Sequence, residues 1–394
     1  MSDNFLRRQQ RWLNLVAAFV ISICLSMGLS RAIAMDGHLA VTTEYSWDLP
    51  DWTPRPVVPE NNPMTPEKVE LGRYLFYEPR LSITREYSCA SCHQQSLAFT
   101  DGRKVALGST DELHAKNSMG LANVAYSPVL TWANPLMTSL ENQALIPIFG
   151  EHPVEMGMVG KEQQMIEWMQ QDPEYRRMFT AAFKEEQPVS ISNLTKAIAS
   201  FQRSLVSFKS PYDRYRYEGE TNAISAAAKR GEKLFNSERM ECFHCHGGIN
   251  FSDSIQHKNL AFTEIAFHNT GLYNIDGEGS YPHANIGIKE ITEEESDMGR
   301  FKAPSLRNIV LTAPYMHDGS VATLRDAIAH YQAGGRTITT GEYAGVGRNN
   351  PYKSGFIQGF EATDAEIDDL IAFLESLTDS EFITNPDYSD PNQS

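Results

Sequence analysis

Apolar side chains recur at intervals of three and four residues along much of the chain, the spacing that places them on one face of an α-helix. This spacing predicts helices over residues 162–171, 173–183, 192–207, 223–235, 324–333 and 364–377. The last helix follows Thr363 and has Glu366 in its first turn, a pair that can cap each other's backbone amides. Strand-like alternation is scarce, and 250–300 and 334–360 are predicted to be long irregular loops. The pattern therefore predicts a mainly α-helical fold.

One order of features occurs twice along the chain, which indicates an internal duplication. The first copy has LGRYLF (71–76), CASCH (89–93) and AFTD (98–101), and the second has RGEKLF (230–235), CFHCH (242–246) and NFSD (250–253). Each copy is a helix ending in Leu-Phe, a Cys-x-x-Cys-His loop and a Phe-x-Asp turn. Two domains of similar design are therefore predicted, over 64–208 and 209–378. Residues 35–63 are predicted to be an extended arm and 379–394 a disordered tail, because both are polar and lack a sustained period.

The first 34 residues have the features of an export signal. Three arginines precede an apolar run over 13–29, and Ala-Ile-Ala at 32–34 offers a cleavage site between small residues. An uncleaved membrane anchor is the alternative, because the run is nearly long enough to span a bilayer. We predict a cleaved signal peptide, a periplasmic location and no stable membrane insertion after cleavage.

The chain is acidic, with 34 basic and 50 acidic residues and a formal charge of −16. A nucleic-acid partner is not expected, because binding one requires a basic face. An acidic surface suits either a basic redox partner or solubility alone. One of the five cysteines, Cys24, falls in the predicted signal, and the other four belong to the two Cys-x-x-Cys-His segments. No cysteine is therefore left for a disulfide.

The two Cys-x-x-Cys-His segments predict covalently bound haem. The cysteines of such a segment form thioethers with haem vinyl groups, and the adjacent histidine ligates the iron. A zinc or redox site is the alternative for a single Cys-x-x-Cys. Two copies with histidine directly after the second cysteine favour haem. The predicted attachment residues of the two haem c groups are Cys89, Cys92, His93, Cys242, Cys245 and His246.

Beyond these motifs, residues 64–378 resemble the bacterial di-haem cytochrome c peroxidases and their relative MauG. The resemblance is carried by both Phe-x-Asp turns, by Asn117 and Asn123 before Trp132, and by the segments QALIPIFGEHPVEMG (143–157), KAPSLRN (302–308) and TAPYMHDG (312–319). The segments NSMGLANVAY (117–126) and LTWANP (130–135) resemble the MauG-like enzymes found beside methanobactin-type copper operons.

The resemblance implies that the His93 haem reacts with peroxide and that Gln143 and Glu155 line its open side. Glu155 would move a proton between the peroxide oxygens as the O–O bond breaks, and Gln143 would hold water or peroxide. Trp132 corresponds to a tryptophan between the two haems, where it can pass electrons. The alternatives are surface polar residues for the first pair and packing between domains for Trp132.

The resemblance also implies a second haem ligand and a calcium site. Tyr331 falls where the peroxidases have a distal methionine and MauG has a tyrosine, whose oxygen favours ferric iron. A core tyrosine on a helix is the alternative. Asn117, Thr312 and Pro314 correspond to an inter-haem site whose side-chain and carbonyl oxygens suit Ca²⁺.

The resemblance implies that the distal histidine of the classical peroxidases would fall around Ser109, where this chain has none. His114 is predicted to be a surface or interface residue rather than an iron ligand.

These residues predict an oxidoreductase of MauG type. Peroxide would react at the His93 haem, Trp132 would share one oxidising equivalent with the haem of His246 and Tyr331, and the resulting high-valent bis-iron state would oxidise a partner protein. In the methanobactin-type relatives the partner is a copper-binding periplasmic protein whose tryptophan becomes kynurenine, a substrate that the resemblance alone implies.

Two other functions stay open. The first is a cytochrome c peroxidase that reduces hydrogen peroxide to water with electrons from a small cytochrome or copper protein. Tyr331 and the missing distal histidine argue against it. The second is a di-haem electron carrier, which would not need the acid–base pair Gln143 and Glu155.

Overall fold

The fold is mainly helical, as the sequence predicts. The computed structural model describes residues 45–392, which belong to one compact unit. The predicted signal peptide lies outside these residues. No helix within 45–392 is long and apolar enough to cross a membrane.

The elements of the described chain are short and joined by many turns. The α-helices are α1 Pro66–Phe76, α2 Cys89–Cys92, α3 Leu140–Gln143, α4 Leu145–Phe149, α5 Glu162–Gln171, α6 Pro173–Ala182, α7 Ile191–Ser204, α8 Pro211–Tyr217, α9 Ala226–Phe235, α10 Cys242–Cys245, α11 Lys289–Thr292, α12 Leu324–Gln332, α13 Asp364–Glu375 and α14 Ser380–Thr384. The strands β1 Thr337–Ile338 and β2 Gly345–Val346 pair antiparallel. Single 3₁₀ turns are Pro79–Leu81, Gln95–Leu97, Val124–Tyr126, His283–Asn285, Glu295–Asp297, Ile309–Leu311, Gly347–Asn349 and Pro386–Tyr388.

The six helices predicted from apolar spacing are confirmed, with small shifts at their ends. Helix α5 has the predicted bounds. Helix α9 begins later than predicted because the Ser225 hydroxyl accepts the Ala228 backbone N–H and fixes the start of the helix. The predicted cap of α13 is confirmed: the Thr363 hydroxyl accepts the Glu366 N–H, and the Glu366 carboxylate accepts the Thr363 N–H at 2.9 Å.

Two close helix crossings have the same geometry. Helix α1 crosses α7 at Gly72, where an added Cβ would lie 2.0 Å from a backbone oxygen and 2.8 Å from the Phe201 Cβ. Helix α9 crosses α13 at Gly231, where an added Cβ would lie 2.0 Å from a backbone oxygen and 2.8 Å from the Phe373 Cβ. Glycine permits this approach because it has no side chain. We take the matching crossings as support for the predicted duplication.

Replacing the glycine at either crossing is expected to destabilise the protein. Gly72→Ala and Gly231→Ala should each lower the free energy of unfolding by roughly 1–3 kcal/mol, because the new methyl group forces the two helices apart. Denaturant unfolding of the haem-loaded protein measures the change. Gly355→Ala is the control, since its Cβ would meet no atom within 4 Å. If both variants unfolded at the same denaturant concentration as the control, the two close helix crossings would not require glycine.

The apolar core is divided. The largest cluster of buried side chains comes from residues 212–377, with Trp132 and Ala133 added from the first half of the chain. A second cluster comes entirely from residues 71–198. The largest cluster contains Phe373 of the Gly231 crossing, whereas Phe201 of the Gly72 crossing belongs to a third cluster with Phe99. Trp132 joins the cluster of the opposite half. The boundary predicted at 208/209 stays a prediction.

The described part of the predicted arm, residues 45–63, contains no helix or strand. It is nevertheless packed against the core. Trp47, Leu49 and Trp52 contact a buried cluster that contains Tyr126 and Phe208. This contact explains how an extended segment keeps one path over the surface.

The predicted disorder of the tail is wrong for residues 379–392. Phe382 is 2% exposed, and its ring lies 5.6 Å from that of Phe99. The buried Tyr388 hydroxyl donates to the Ser204 carbonyl at 2.9 Å. The segment folds because two aromatic side chains are buried beside the first Cys-x-x-Cys-His motif, although the segment as a whole is polar.

Candidate active site

Both Cys-x-x-Cys-His motifs form a single helical turn followed by a hydrogen-bonded histidine. His93 Nδ1 donates to the Phe99 carbonyl at 2.8 Å, and His246 Nδ1 donates to the Phe251 carbonyl at 3.2 Å. Each carbonyl returns to the ring because its residue has positive φ, 63° for Phe99 and 49° for Phe251. Since Nδ1 of each ring is a donor, Nε2 is left as the nitrogen for iron. Burial lowers the pKa of both histidines, which keeps them in the neutral form that binds metal.

The donor sets of the motifs fit haem rather than zinc. Two groups of described side chains are close enough to hold an ion: Cys245 with Asp253 and His268, and a carboxylate pair with His244. Neither group contains both cysteines of a motif, as a zinc site of the Cys-x-x-Cys type requires. All four described cysteines are half-buried free thiols, as thioether attachment needs. The motifs therefore present the thiols and the ring nitrogen that haem c uses.

One cavity adjoins His93 and gathers most of the residues predicted for the peroxide site. The predicted residues among its lining are Cys92, His93, Asn117, Trp132, Gln143, Glu155, Thr312 and Pro314. A neighbouring cavity on the Cys89 side also has Gln143 and Glu155 in its wall. Residues that are far apart in sequence thus share one space beside the first motif.

Glu155 is a carboxyl group with an unusual environment. Burial raises its pKa to about 7, because its charged form is poorly solvated there. A carboxyl group with this pKa exchanges protons readily at neutral pH, as a general acid–base group must. The backbone carbonyl of Glu155 accepts the Ser109 N–H at 2.6 Å. Ser109, around which the resemblance places the distal histidine of the classical peroxidases, therefore lies directly beside Glu155.

His114 lines this cavity and is partly exposed. Its Nε2 lies 3.8 Å from Glu155 Oε1. Its Nδ1 accepts the Lys116 backbone N–H at 3.0 Å, so that the neutral ring carries its proton on Nε2. Sequence reasoning missed this approach, which depends on a loop in which Leu107 and Leu113 pair and turn the chain back.

Trp132 is held by both halves of the chain. Its indole N–H donates to the Asn117 carbonyl at 2.8 Å, and its own carbonyl accepts the Lys302 N–H at 2.9 Å. The Lys302 ammonium donates to the Val129 carbonyl at 2.9 Å. Burial lowers the pKa of Lys302 to about 8. The indole is thus fixed at the wall of the cavity in a single orientation.

The predicted calcium ligands share the same cavity. The Asn117 side-chain amide donates to the Arg103 carbonyl at 2.8 Å, which leaves the Asn117 Oδ1 as an acceptor. Thr312 and Pro314 can add carbonyl oxygens, the type of ligand that Ca²⁺ prefers. Calcium binding stays a prediction.

Tyr331 lies apart from the His93 cavity, at the second motif. It is on helix α12, and its buried phenol lies near the thiols of Cys245 and Cys242. Burial is the main reason that its pKa is above the usual range. A second side chain near this motif was not predicted from the sequence. His268 Nε2 lies 2.5 Å from Oδ2 of Asp253, the aspartate of the Phe-x-Asp turn after His246.

Two Cys-x-x-Cys-His turns, with a cavity beside one of them that is lined by Gln143 and Glu155, define a di-haem c-type cytochrome with enzymatic character. The family model described as di-haem cytochrome c peroxidase matches residues 66–222. The chain is 33% identical to methylamine utilization protein MauG of Methylorubrum extorquens over 91% of both proteins. It is 34% identical to cytochrome-c peroxidase IdrP1 of Denitromonas iodatirespirans, over 84% of this chain and 86% of that protein.

A solved structure is also similar along most of the chain. The crystal structure of a MauG-like protein associated with microbial copper homeostasis matches with a TM-score of 0.86 and 48% identity, over 88% of this chain and 99% of that one. The chain belongs to the family of the di-haem cytochrome c peroxidases and MauG. It is a haem peroxidase or MauG-type oxidoreductase with two haem c groups, and those predictions are confirmed.

Proposed function

We propose that this protein uses hydrogen peroxide to oxidise a partner protein in the periplasm. The observation that carries the proposal is the difference between its two motifs. Gln143 and Glu155 share a cavity with His93, whereas Tyr331 lies at the cysteines of the second motif. His93 would therefore hold a haem that is suited to react with peroxide, whereas His246 and Tyr331 would together hold the other.

The side chains around His93 can handle the protons of the reaction. Haem, when bound, supplies the electrons for O–O cleavage and stores the oxidising equivalents. Glu155 takes a proton from one peroxide oxygen and returns it to the other, which leaves as water. Gln143 holds the peroxide by hydrogen bonds. His114 Nε2 lies 3.8 Å from Glu155 Oε1 at the same wall of the cavity.

Tyr331 and Trp132 support oxidation of a protein rather than disposal of peroxide. A tyrosine oxygen stabilises oxidised iron, whereas the methionine of an electron-storing haem stabilises reduced iron. The proposal gives Trp132 the transfer of electrons between the haems, and its fixed orientation at the cavity wall through Asn117 and Lys302 supports this role. An asparagine oxygen and two backbone carbonyls at the same wall are proposed to hold Ca²⁺.

We propose a copper-binding periplasmic protein as the partner, with a tryptophan that is oxidised to kynurenine. The similarity to a MauG-like protein associated with microbial copper homeostasis supports this choice. The formal charge of −16 suits a partner with a basic contact surface.

A cytochrome c peroxidase is the second candidate, because a relative with that name is about as similar to the chain as MauG is. In this reaction a small cytochrome or copper protein would deliver electrons one at a time. The cytochrome c peroxidase reaction is disfavoured because Ser109, whose backbone N–H binds the Glu155 carbonyl, stands where a distal histidine is expected.

Adding hydrogen peroxide to the fully oxidised, haem-loaded protein distinguishes these functions. We expect one high-spin haem before the addition and a near-infrared charge-resonance band after it. Two low-spin haems without a response to peroxide would indicate an electron carrier. A response that appears only after one-electron reduction would indicate a cytochrome c peroxidase.

A further inference from the structure

Five rings form a row that ends at the protein surface, here called the aromatic row: His317, Phe301, Tyr281, Tyr273 and Tyr343. His317 and Phe301 are stacked, with ring centroids 3.6 Å apart and planes 10° apart. The next steps are 6.4 Å from Phe301 to Tyr281, 5.4 Å to Tyr273 and 5.8 Å to Tyr343. The first four rings are buried, whereas Tyr343 is 40% exposed. The row therefore joins the core to solvent.

The inner end of the aromatic row is connected to Trp132. The Trp132 indole donates to the Asn117 carbonyl at 2.8 Å, and the Asn117 N–H donates to the His317 carbonyl at 2.8 Å. Lys302, which follows Phe301 in the chain, donates its N–H to the Trp132 carbonyl. Backbone hydrogen bonds thus hold the chain at both inner residues of the row close to the tryptophan at the cavity wall.

Tyr273 has a partner that can accept its proton. Its hydroxyl donates to Asp318 Oδ2 at 2.6 Å, and both groups are buried. Burial acts to raise the pKa of Asp318, but His317 and hydrogen bonds that include the one from Tyr273 hold it below the usual range. The carboxylate is therefore charged. Tyr281, by contrast, donates to the Asn269 amide oxygen, which is not a base.

A hydrophobic core alone does not require these hydroxyl groups. Phenylalanine would fill the positions of Tyr273 and Tyr343 with nearly the same volume. A tyrosine that is hydrogen-bonded to a buried carboxylate and in contact with an exposed tyrosine is suited to lose an electron and a proton together.

We propose that the aromatic row carries electrons from a partner protein to the oxidised haems, and that Tyr343 is the residue that receives them from an indole or phenol of that partner. This inference rests on the proposed function, whose oxidant is hydrogen peroxide. Tyr273 gives one electron inward and its proton to Asp318. It recovers an electron from Tyr343 and the proton from Asp318, while the Tyr343 proton leaves to water. Tyr343 then takes an electron and a proton from the partner side chain, and two such transfers use the oxidising power of one peroxide.

The surface around Tyr343 indicates the charge of the partner. Strand β2, which follows Tyr343, lies against the loop that contains Asp276 and Glu278, because the Asn274 side chain donates to the Val346 carbonyl at 3.0 Å. Asp276, Glu278 and Glu342 are all exposed. An acidic patch beside the terminal tyrosine fits a partner whose reactive aromatic residue lies in a basic surface.

Radical trapping can locate the exit. The haem-loaded protein is treated with peroxide and a nitroxide scavenger, and adducts are mapped by peptide mass spectrometry. We expect an adduct on Tyr343 that is lost in Tyr273→Phe. Tyr217, which is 39% exposed and stacked on Trp52 outside the row, is the internal control and should stay unlabelled. An adduct on Tyr217 with none on Tyr343 would overturn the proposal.

The lifetime of the near-infrared band gives a second measurement. With N-acetyltryptophanamide as the reductant, the band should decay more slowly in Tyr343→Phe than in Tyr217→Phe. Equal decay in the two variants would show that electrons enter elsewhere. If Tyr273→Phe fails to fold, Asp318→Asn replaces it, and an undiminished Tyr343 adduct in that variant would count against the row. A wild-type protein that forms no band would instead refute the proposed function.

Discussion

Glu155→Gln is expected to slow the reaction with peroxide by about two to four orders of magnitude, the usual contribution of a positioned acid–base group. The glutamine keeps the shape of the side chain but cannot transfer a proton. In the wild type the rate should rise as the pH rises through about 7, because the carboxylate is the form that accepts the first proton. The variant should lose this rise. Stopped-flow absorbance of the haem at several pH values measures both effects.

Glu151→Gln is the matched control for this change. Glu151 is an exposed carboxylate four residues away in the same loop, so its loss should leave rate and pH profile unaltered. If Glu155→Gln retained the wild-type rate and profile, Glu155 would not be the acid–base group.

Tyr331→Met is expected to abolish oxidation of the partner protein while peroxide still reacts at the His93 haem. Methionine stabilises reduced iron, so that the reduction potential of the second haem should rise and the near-infrared band should disappear. Potentiometric titration of the two haems, followed by spectroscopy after peroxide addition, measures these changes. Tyr215→Phe is the control, because Tyr215 is a partly buried tyrosine packed against the core cluster of the second half of the chain.

Retained partner oxidation in Tyr331→Met would show that another group ligates the second iron. A raised reduction potential with an unchanged near-infrared band would mean that Tyr331 is the ligand of the second iron in the wild type. It would also mean that the tyrosine oxygen is not needed to stabilise the two oxidised haems.

The helices could be predicted because their signal is local. The spacing of apolar residues over 162–171 is complete within the helix and needs no partner to be recognised. The tail could not be predicted, because Phe382 and Tyr388 are two apolar side chains in a polar segment. Their burial depends on contacts with residues such as Phe99 and Ser204, which the local sequence does not contain.

The residues of the candidate site also fall into those that the sequence could predict and those that it could not. The haem attachment residues form a contiguous motif, and resemblance to known enzymes indicated Gln143, Glu155 and Tyr331. His114 and His268 were missed because their partners, Glu155 and Asp253, are distant in sequence. Only the path of the intervening loops brings each pair together, and no periodicity encodes that path.

The C-terminal segment gives the protein an order of assembly. The Gln95 amide, in the loop after His93, donates to the Phe382 carbonyl at 3.2 Å and to the Asn385 carbonyl at 2.8 Å. Synthesis runs from the N terminus, so the residues that clasp the first haem loop are made nearly 300 residues after the loop itself. We expect this loop to stay open to the haem-attachment machinery until that segment arrives, and the clasp to close afterwards over the attached haem.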